Sequence, residues 1–196
     1  MSFTFTPCSI SGVFEITPKI FGDARGYFFE FYNRNDFEAA GIATVFVQDN
    51  ESRSAGNVIR GLHFQKRFPQ AKLVRVNSGK IFDVIVDLRL GSATFGKWFG
   101  IVLDSEKKNM LYFPEGFAHG FCVLSSEAVI SYKCSDFYHP EDEGGLIWND
   151  KSLDIKWDSV VPDIQKLAVL SAKDLQLSSF SLENRYFDLY GKWIGA

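Results

Sequence analysis

With 196 residues, 46% of them apolar, and a formal net charge of −3, the chain is long enough to bury a real core and is expected to form one domain over residues 1–196. The acidic balance argues against a general nucleic-acid binder, which carries its basic excess on one face, but it leaves room for a small anionic ligand whose phosphates need only a few local cations. No apolar run approaches the roughly 18 residues of a membrane span, and the opening MSFTFTPCSISGVFEITPKIFGD lacks the basic and apolar segments of a signal peptide.

Cys8, Cys122 and Cys134 are an odd set without C-x-x-C spacing, which fits reduced thiols in a cytoplasmic protein. The sharpest compositional deviation is aromatic: 20 Phe, 7 Tyr and 4 Trp suit sheet faces and aromatic-lined pockets better than helices.

In chain order, Asn35–Ala40 predicts a short helix. Phe46-Val47-Gln48-Asp49-Asn50 runs from apolar to hydrogen-bonding side chains, which fits either a strand ending in a turn or the polar rim of a ligand site. Arg60-Gly-Leu-His63-Phe-Gln65 follows, with Gly61 expected to keep the backbone accessible. Ala71–Val76 predicts a strand with Lys72, Val74 and Val76 on one face. In Lys80–Arg89, Phe82, Val84, Val86 and Leu88 share one face, and Ile81, Asp83, Ile85 and Asp87 the other. Trp98–Leu103, Met110–Phe113, Gly120–Leu124 and Ala128–Lys133 are further strands, and Ser171–Leu177 predicts a second short helix. The aromatic tail from Ser178 is expected to pack on the body or on a partner. Short strands at regular spacing with few helices give an all-β sandwich or barrel.

Four stretches carry candidate chemistry. The spacing in Pro114-Glu-Gly-Phe-Ala-His119 resembles the second motif of the cupins, small jelly-roll barrels that often hold a metal. The companion His-x-His is here His63-Phe64-Gln65, so the ligand set is incomplete. His63 is either a satisfied core histidine or a proton-transfer group, with Arg60 and Lys72 nearby in sequence. A lysine on the apolar face of a strand is costly unless its charge meets an anion, and a salt bridge to Asp83 or Asp87 is the structural alternative. Tyr132, on the strand beside Ile130, is either a barrel aromatic or a phenolic acid with a pKa of about 10.

Taken together, FGDARGYFFE (21–30), FVQDN (46–50), NVIRGLHFQ (57–65), KLVRV (72–76), IFDVIVDLR (81–89), FPEGFAHGF (113–121), WND (148–150) and LSAKD (170–174) resemble the dTDP-4-dehydrorhamnose 3,5-epimerase family over roughly residues 10–176. The resemblance implies a cupin-type jelly-roll core over about 10–160, with a few short peripheral helices and a helical and aromatic tail over 161–196. It implies a metal-independent isomerase, without cofactor, that epimerises a nucleotide-linked 4-keto-6-deoxy sugar at C3 and C5.

By the same resemblance, His63 is the base, Asp174 the carboxylate that orients it, Tyr132 the acid on the opposite sugar face, and Lys72 the cation at the C4 oxygen, with Asp83 as a supporting carboxylate. Arg25, Glu30, Gln48, Asp49, Asn50, Arg60, His119, Glu143 and Lys173 fall on nucleotide-sugar-binding positions alongside Lys72, and Tyr138 falls where an aromatic stacks on thymine. A homodimer is implied in which the 21–30 segment serves the neighbouring subunit's site. Members that invert one carbon only, a non-catalytic sugar-nucleotide-binding jelly roll, and a metal-dependent cupin are the competing functions.

Overall fold

Alternation along Lys80–Asp87 sets the architecture, because both faces of this strand are buried. Phe82, Val84 and Val86 enter one apolar layer, and Ile81 and Ile85 enter another. A strand buried on both faces must lie in the middle of a layered β structure.

The structure, a computed structural model, describes residues 2–195. Its strands are β1 (Phe3–Pro7), β2 (Phe14–Pro18), β3 (Phe21–Asp23), β4 (Gly26–Phe28), β5 (Gln48–Ala55), β6 (Ile59–Gln65) and β7 (Lys72–Ser78). They continue with β8 (Lys80–Asp87), β9 (Trp98–Asp104), β10 (Met110–Phe113), β11 (Phe117–Val123), β12 (Glu127–Cys134) and β13 (Glu143–Gly145). A six-stranded sheet runs in the order β1-β2-β10-β7-β12-β5, and a five-stranded sheet in the order β13-β6-β11-β8-β9. The strands of both sheets pair antiparallel, and together they make the expected all-β jelly roll.

Between the sheets lies a core to which β7 contributes Val74 and Val76, β8 Ile81 and Ile85, and β12 Ile130. A second layer covers the outer face of the five-stranded sheet, where Phe82 and Val84 meet Trp157, Tyr186 and Phe187. The tail therefore packs on the body through Phe180, Tyr186 and Phe187, while Tyr190 points outward. Main-chain bonds from Phe187 N to Leu88 O and from Leu90 N to Phe187 O add this segment to the end of β8. On the other side, α1 (Arg34–Ala39) begins at Asn33, whose side chain accepts a bond from Asn35 N, and buries Phe37 edge-on against Phe3 and Phe5. Burying one such ring contributes about 2 kcal/mol.

Two local expectations change. Ser171–Leu177 is not a helix; only Asp174–Gln176 winds, as a single 3-10 turn, and a short α2 (Ile164–Leu167) precedes it. The reason is polar: Ser171 Oγ accepts from Asp174 N at 3.0 Å and donates to Asp174 Oδ2 at 2.9 Å, a local closure that competes with helix extension. Gly61 serves close packing. At φ +109°, a Cβ there would stand 2.6 Å from both Gly120 Cα and His119 O, so only glycine lets β6 lie this close to β11.

Candidate active site

At one end of the space between the sheets is a cleft of about 360 Å³. Alternation decides which side chains reach it, except on β6, where a register shift against β11 lets Arg60 and His63, three residues apart, reach the same cleft. From the six-stranded sheet come Gln48 and Asn50 on β5, Lys72 on β7 and Tyr132 on β12; from the five-stranded sheet come Arg60 and His63 on β6 and Glu143 on β13. Lys72 and Tyr132 are the polar ends of strands whose next inward residues, Val74 and Ile130, are core, so the apolar lumen runs directly into a polar mouth.

His63 Nε2 is joined to Asp174 Oδ1 at 2.6 Å. Burial drives the Asp174 carboxyl upward, but its bonds from His63, Ser171 and the Gly61 backbone outweigh that, and its pKa lies below the usual carboxylate range. Asp174 is therefore ionised at neutral pH and holds the imidazole by one nitrogen. That leaves Nδ1 as the nitrogen able to take a proton.

On the facing sheet, Lys72 Nζ lies 5.5 Å from the centroid of the Tyr132 ring. Lys72 makes no salt bridge among the described residues, which decides against the structural alternative. Asp83 instead holds His119, Oδ1 to Nε2 at 2.8 Å, and Asp87 holds Arg89 at 2.9 Å with Ser92 and Thr94. Burial pushes the Lys72 amine below its ordinary value, and the negative character of Cys134, Asp83 and Glu143 opposes that only in part. Burial pushes the Tyr132 phenol above its ordinary value, so the proton stays on the oxygen at neutral pH.

His119 pairs with His63 across the β11–β6 ladder but is itself buried, and Asp83 Oδ2 beneath it has no hydrogen-bond partner among the described residues. At the rim, Glu143 accepts from Tyr138 Oη at 2.8 Å and from Lys173 Nζ. Burial raises the Glu143 carboxyl, and these two bonds more than offset it, leaving its pKa low. Arg60 Nε is anchored on Ser54 Oγ at 2.9 Å.

Five expected binding residues do not line this cleft: buried His119, rim Lys173, and Asp49, Arg25 and Glu30, which lie away from it. Asp49 sits between Gln48 and Asn50 on β5, so it points to the opposite face of the sheet, where it pairs with Lys133 at 2.9 Å. Arg25, at the tip of the β3–β4 hairpin, is 91% exposed and bound to Asp23. Glu30, just beyond the hairpin, meets Asn33 at 3.5 Å. Gln65 and Phe187, in contrast, line the cleft without having been singled out as binding residues; the tail's aromatic content was the only signal for the second.

The family model described as dTDP-4-dehydrorhamnose 3,5-epimerase matches residues 7–181. A protein of that name from Pseudomonas aeruginosa is 50% identical over 177 residues, covering 90% of this chain and 95% of the relative. One from Methanothermobacter thermautotrophicus is 47% identical over 173 residues, covering 88% and 91%. Among solved structures, the dTDP-6-deoxy-D-glucose-3,5-epimerase of Legionella pneumophila in complex with dTDP-4-keto-L-rhamnose aligns with a TM-score of 0.87 at 44% identity, covering 93% of this chain and 95% of that one. By these matches, the chain belongs to the dTDP-4-dehydrorhamnose 3,5-epimerase family and is an isomerase.

Proposed function

We propose that the protein inverts C5 and C3 of dTDP-4-dehydro-6-deoxyglucose and so forms dTDP-4-dehydro-L-rhamnose. Each inversion is a proton exchange on a carbon next to the C4 ketone. His63 takes the proton on Nδ1, and the electron pair left on carbon moves into the carbonyl to give an enolate. Lys72 supplies positive charge where the C4 oxygen becomes negative, and such preorganised charge is usually a large part of catalysis. Tyr132 then returns a proton to the same carbon from the other face. The imidazolium and phenolate re-equilibrate with water before the second round, and no electrons enter or leave the substrate.

One observation carries this proposal. A carboxylate-bound imidazole stands on one sheet, while an ammonium without a carboxylate partner and a protonated phenol stand on the facing sheet, all lining one cleft. Removal on one face and delivery on the other requires that opposition. Gln48, Asn50, Arg60, Tyr138, Glu143 and Lys173 form the polar mouth suited to the nucleotide, with Arg60 suited to the diphosphate. His119, held by buried Asp83, backs His63.

The same proposal includes a homodimer. Arg25 is at the tip of, and Glu30 just beyond, a hairpin that presents Phe21, Tyr27 and Phe28 to the outside, which suits a segment that completes a neighbouring subunit's cleft. Asp49 faces that same outer side of the six-stranded sheet.

Reaction in D2O tests the chemistry. Deuterium is expected at both C3 and C5 of the product. Label at one carbon would reduce the activity to a mono-epimerase, and binding without label would make the chain a sugar-nucleotide-binding module.

A further inference from the structure

Gln65 stands where a second histidine would complete a His-x-His pair, and its side chain is fully committed elsewhere. Nε2 donates to Phe68 O at 2.9 Å and to Phe137 O at 3.0 Å, while Oε1 accepts from His139 N at 2.6 Å. Phe137 C=O and His139 N–H are the backbone groups on either side of Tyr138. The remaining group, Tyr138 N, donates to Gln48 Oε1 at 3.1 Å. Two glutamines on β6 and β5 thus grip the main chain of an aromatic residue whose own surface is 51% exposed.

A carboxamide is the side chain this task demands. It offers two N–H donors and an acceptor oxygen at one end, whereas a neutral imidazole has a single donor and a single acceptor, and a carboxylate has acceptors only. Asp142 reinforces the arrangement: its buried carboxylate accepts from the backbone N–H of Arg67 at 2.7 Å and of Phe68 at 3.0 Å, tying the 66–70 turn to the 136–142 segment. The Phe68 ring stacks on His139 at 4.1 Å. With its backbone fixed, the Tyr138 ring has one further tie, from its hydroxyl to Glu143.

We propose that Gln65 is a positioning residue for nucleotide recognition: it sets Tyr138 where the ring meets the base of the substrate. The proposal rests on the assignment of Tyr138 as the base-stacking residue. Gln65 has no bond to His63 or Asp174, so its loss acts on binding and leaves proton transfer in place.

A double-mutant cycle on the full chain tests it, with dTDP as the probe and calorimetry as the readout. Gln65→Met and Tyr138→Ala are each expected to raise the Kd for dTDP about tenfold, and the double variant to bind no more weakly than Tyr138→Ala alone. In turnover, Gln65→Met should raise KM in parallel while kcat at saturation stays within about threefold, since uniform binding is what it loses. Unchanged dTDP binding in Gln65→Met would overturn the proposal, as would an equal further loss on the Tyr138→Ala background. Unchanged binding in Tyr138→Ala would instead remove the base-stacking assignment, and the proposal with it. Should Gln65→Met fail to fold, Gln65→Glu keeps the shape while setting a carboxylate against two carbonyls, and the same cycle is read from it.

Discussion

His63 and Asp174 lie 111 residues apart in sequence and 2.6 Å apart in space, and Ser171 holds the second carboxylate oxygen. A bond from the Gly61 backbone adds a second tie between the 3-10 turn of Asp174 and β6. The pair fixes which imidazole nitrogen is occupied and therefore which one is free.

Asp174→Asn is expected to preserve the fold while lowering deuterium exchange at C3 and C5 about 100-fold or more, the usual size of a general-base contribution. The amide keeps the volume but loses the charge that supports the imidazolium. A second signature follows from the lowered Asp174 pKa. A carboxylate with a depressed folded-state pKa stabilises the fold above its unfolded pKa of about 3.9, and that stability is lost as pH falls through the folded value. The variant should therefore be less stable than the wild type at pH 7, with the gap closing in acid below about pH 4. Denaturant titrations at several pH values measure this, and a gap independent of pH would contradict it.

Tyr132→Phe separates the halves of the reaction. The base remains, so solvent deuterium should still enter the starting sugar, while formation of the inverted product falls about 100-fold. Burial holds the phenol protonated through the neutral range, so the alkaline limb of the wild-type pH profile should show no loss assignable to Tyr132 below its ordinary pKa of about 10. Proton NMR of the mixture reads both quantities. Equal loss of exchange and inversion would remove Tyr132 from the role of acid.

What could be read from the sequence follows from how local each signal is. The two-faced pattern of Lys80–Asp87 is local, and it anticipated β8 as a strand with Phe82, Val84 and Val86 on one face and Ile81 and Ile85 on the other; that both faces are buried appears only in the fold. Alternation also placed Lys72 beside Val74, but it could not show that Asp83 and Asp87 were already taken by His119 and Arg89. Asp49 was grouped with Gln48 and Asn50 by adjacency, whereas a pleated strand sends it to the other face. Gln65 read as a missing ligand because its partners, Phe68 O, Phe137 O and His139 N, are backbone groups, which leave no residue-type signature. The helix expected at Ser171–Leu177 lost to a serine–aspartate closure that matters because Asp174 must face His63.

Lys72→Met should show the stability that the cleft gives up for its chemistry. A lysine whose pKa is lowered by burial carries a desolvation cost while protonated, and that cost disappears only as pH rises through its folded value toward about 10.4. At pH 7 the variant is expected to melt a few degrees higher, about 2–4 °C per kcal/mol at this chain length, and to lose turnover about 100-fold or more. The stability gain should shrink toward alkaline pH, where the wild-type amine is also neutral. Scanning calorimetry at pH 7 and pH 10 decides it; a lower melting temperature at both would mean that Lys72 stabilises the fold.

Mixed subunits test whether two chains share a cleft. Arg25→Ala removes a side chain on the exposed hairpin, and His63→Ala removes the proposed base in the cleft, so each variant alone should be nearly inactive. If the hairpin serves its neighbour, a heterodimer of the two contains one site with both residues intact and one with neither. Random exchange makes about half the dimers heterodimers with one good site of two, so about a quarter of wild-type activity should appear on mixing. If Arg25 acts within its own chain, every cleft in the mixture lacks one residue or the other, and mixing restores nothing. Assaying the refolded mixture beside each variant alone separates these outcomes without a structure of the complex. Size-exclusion chromatography of the wild type supplies the oligomeric state against which the recovered activity is read.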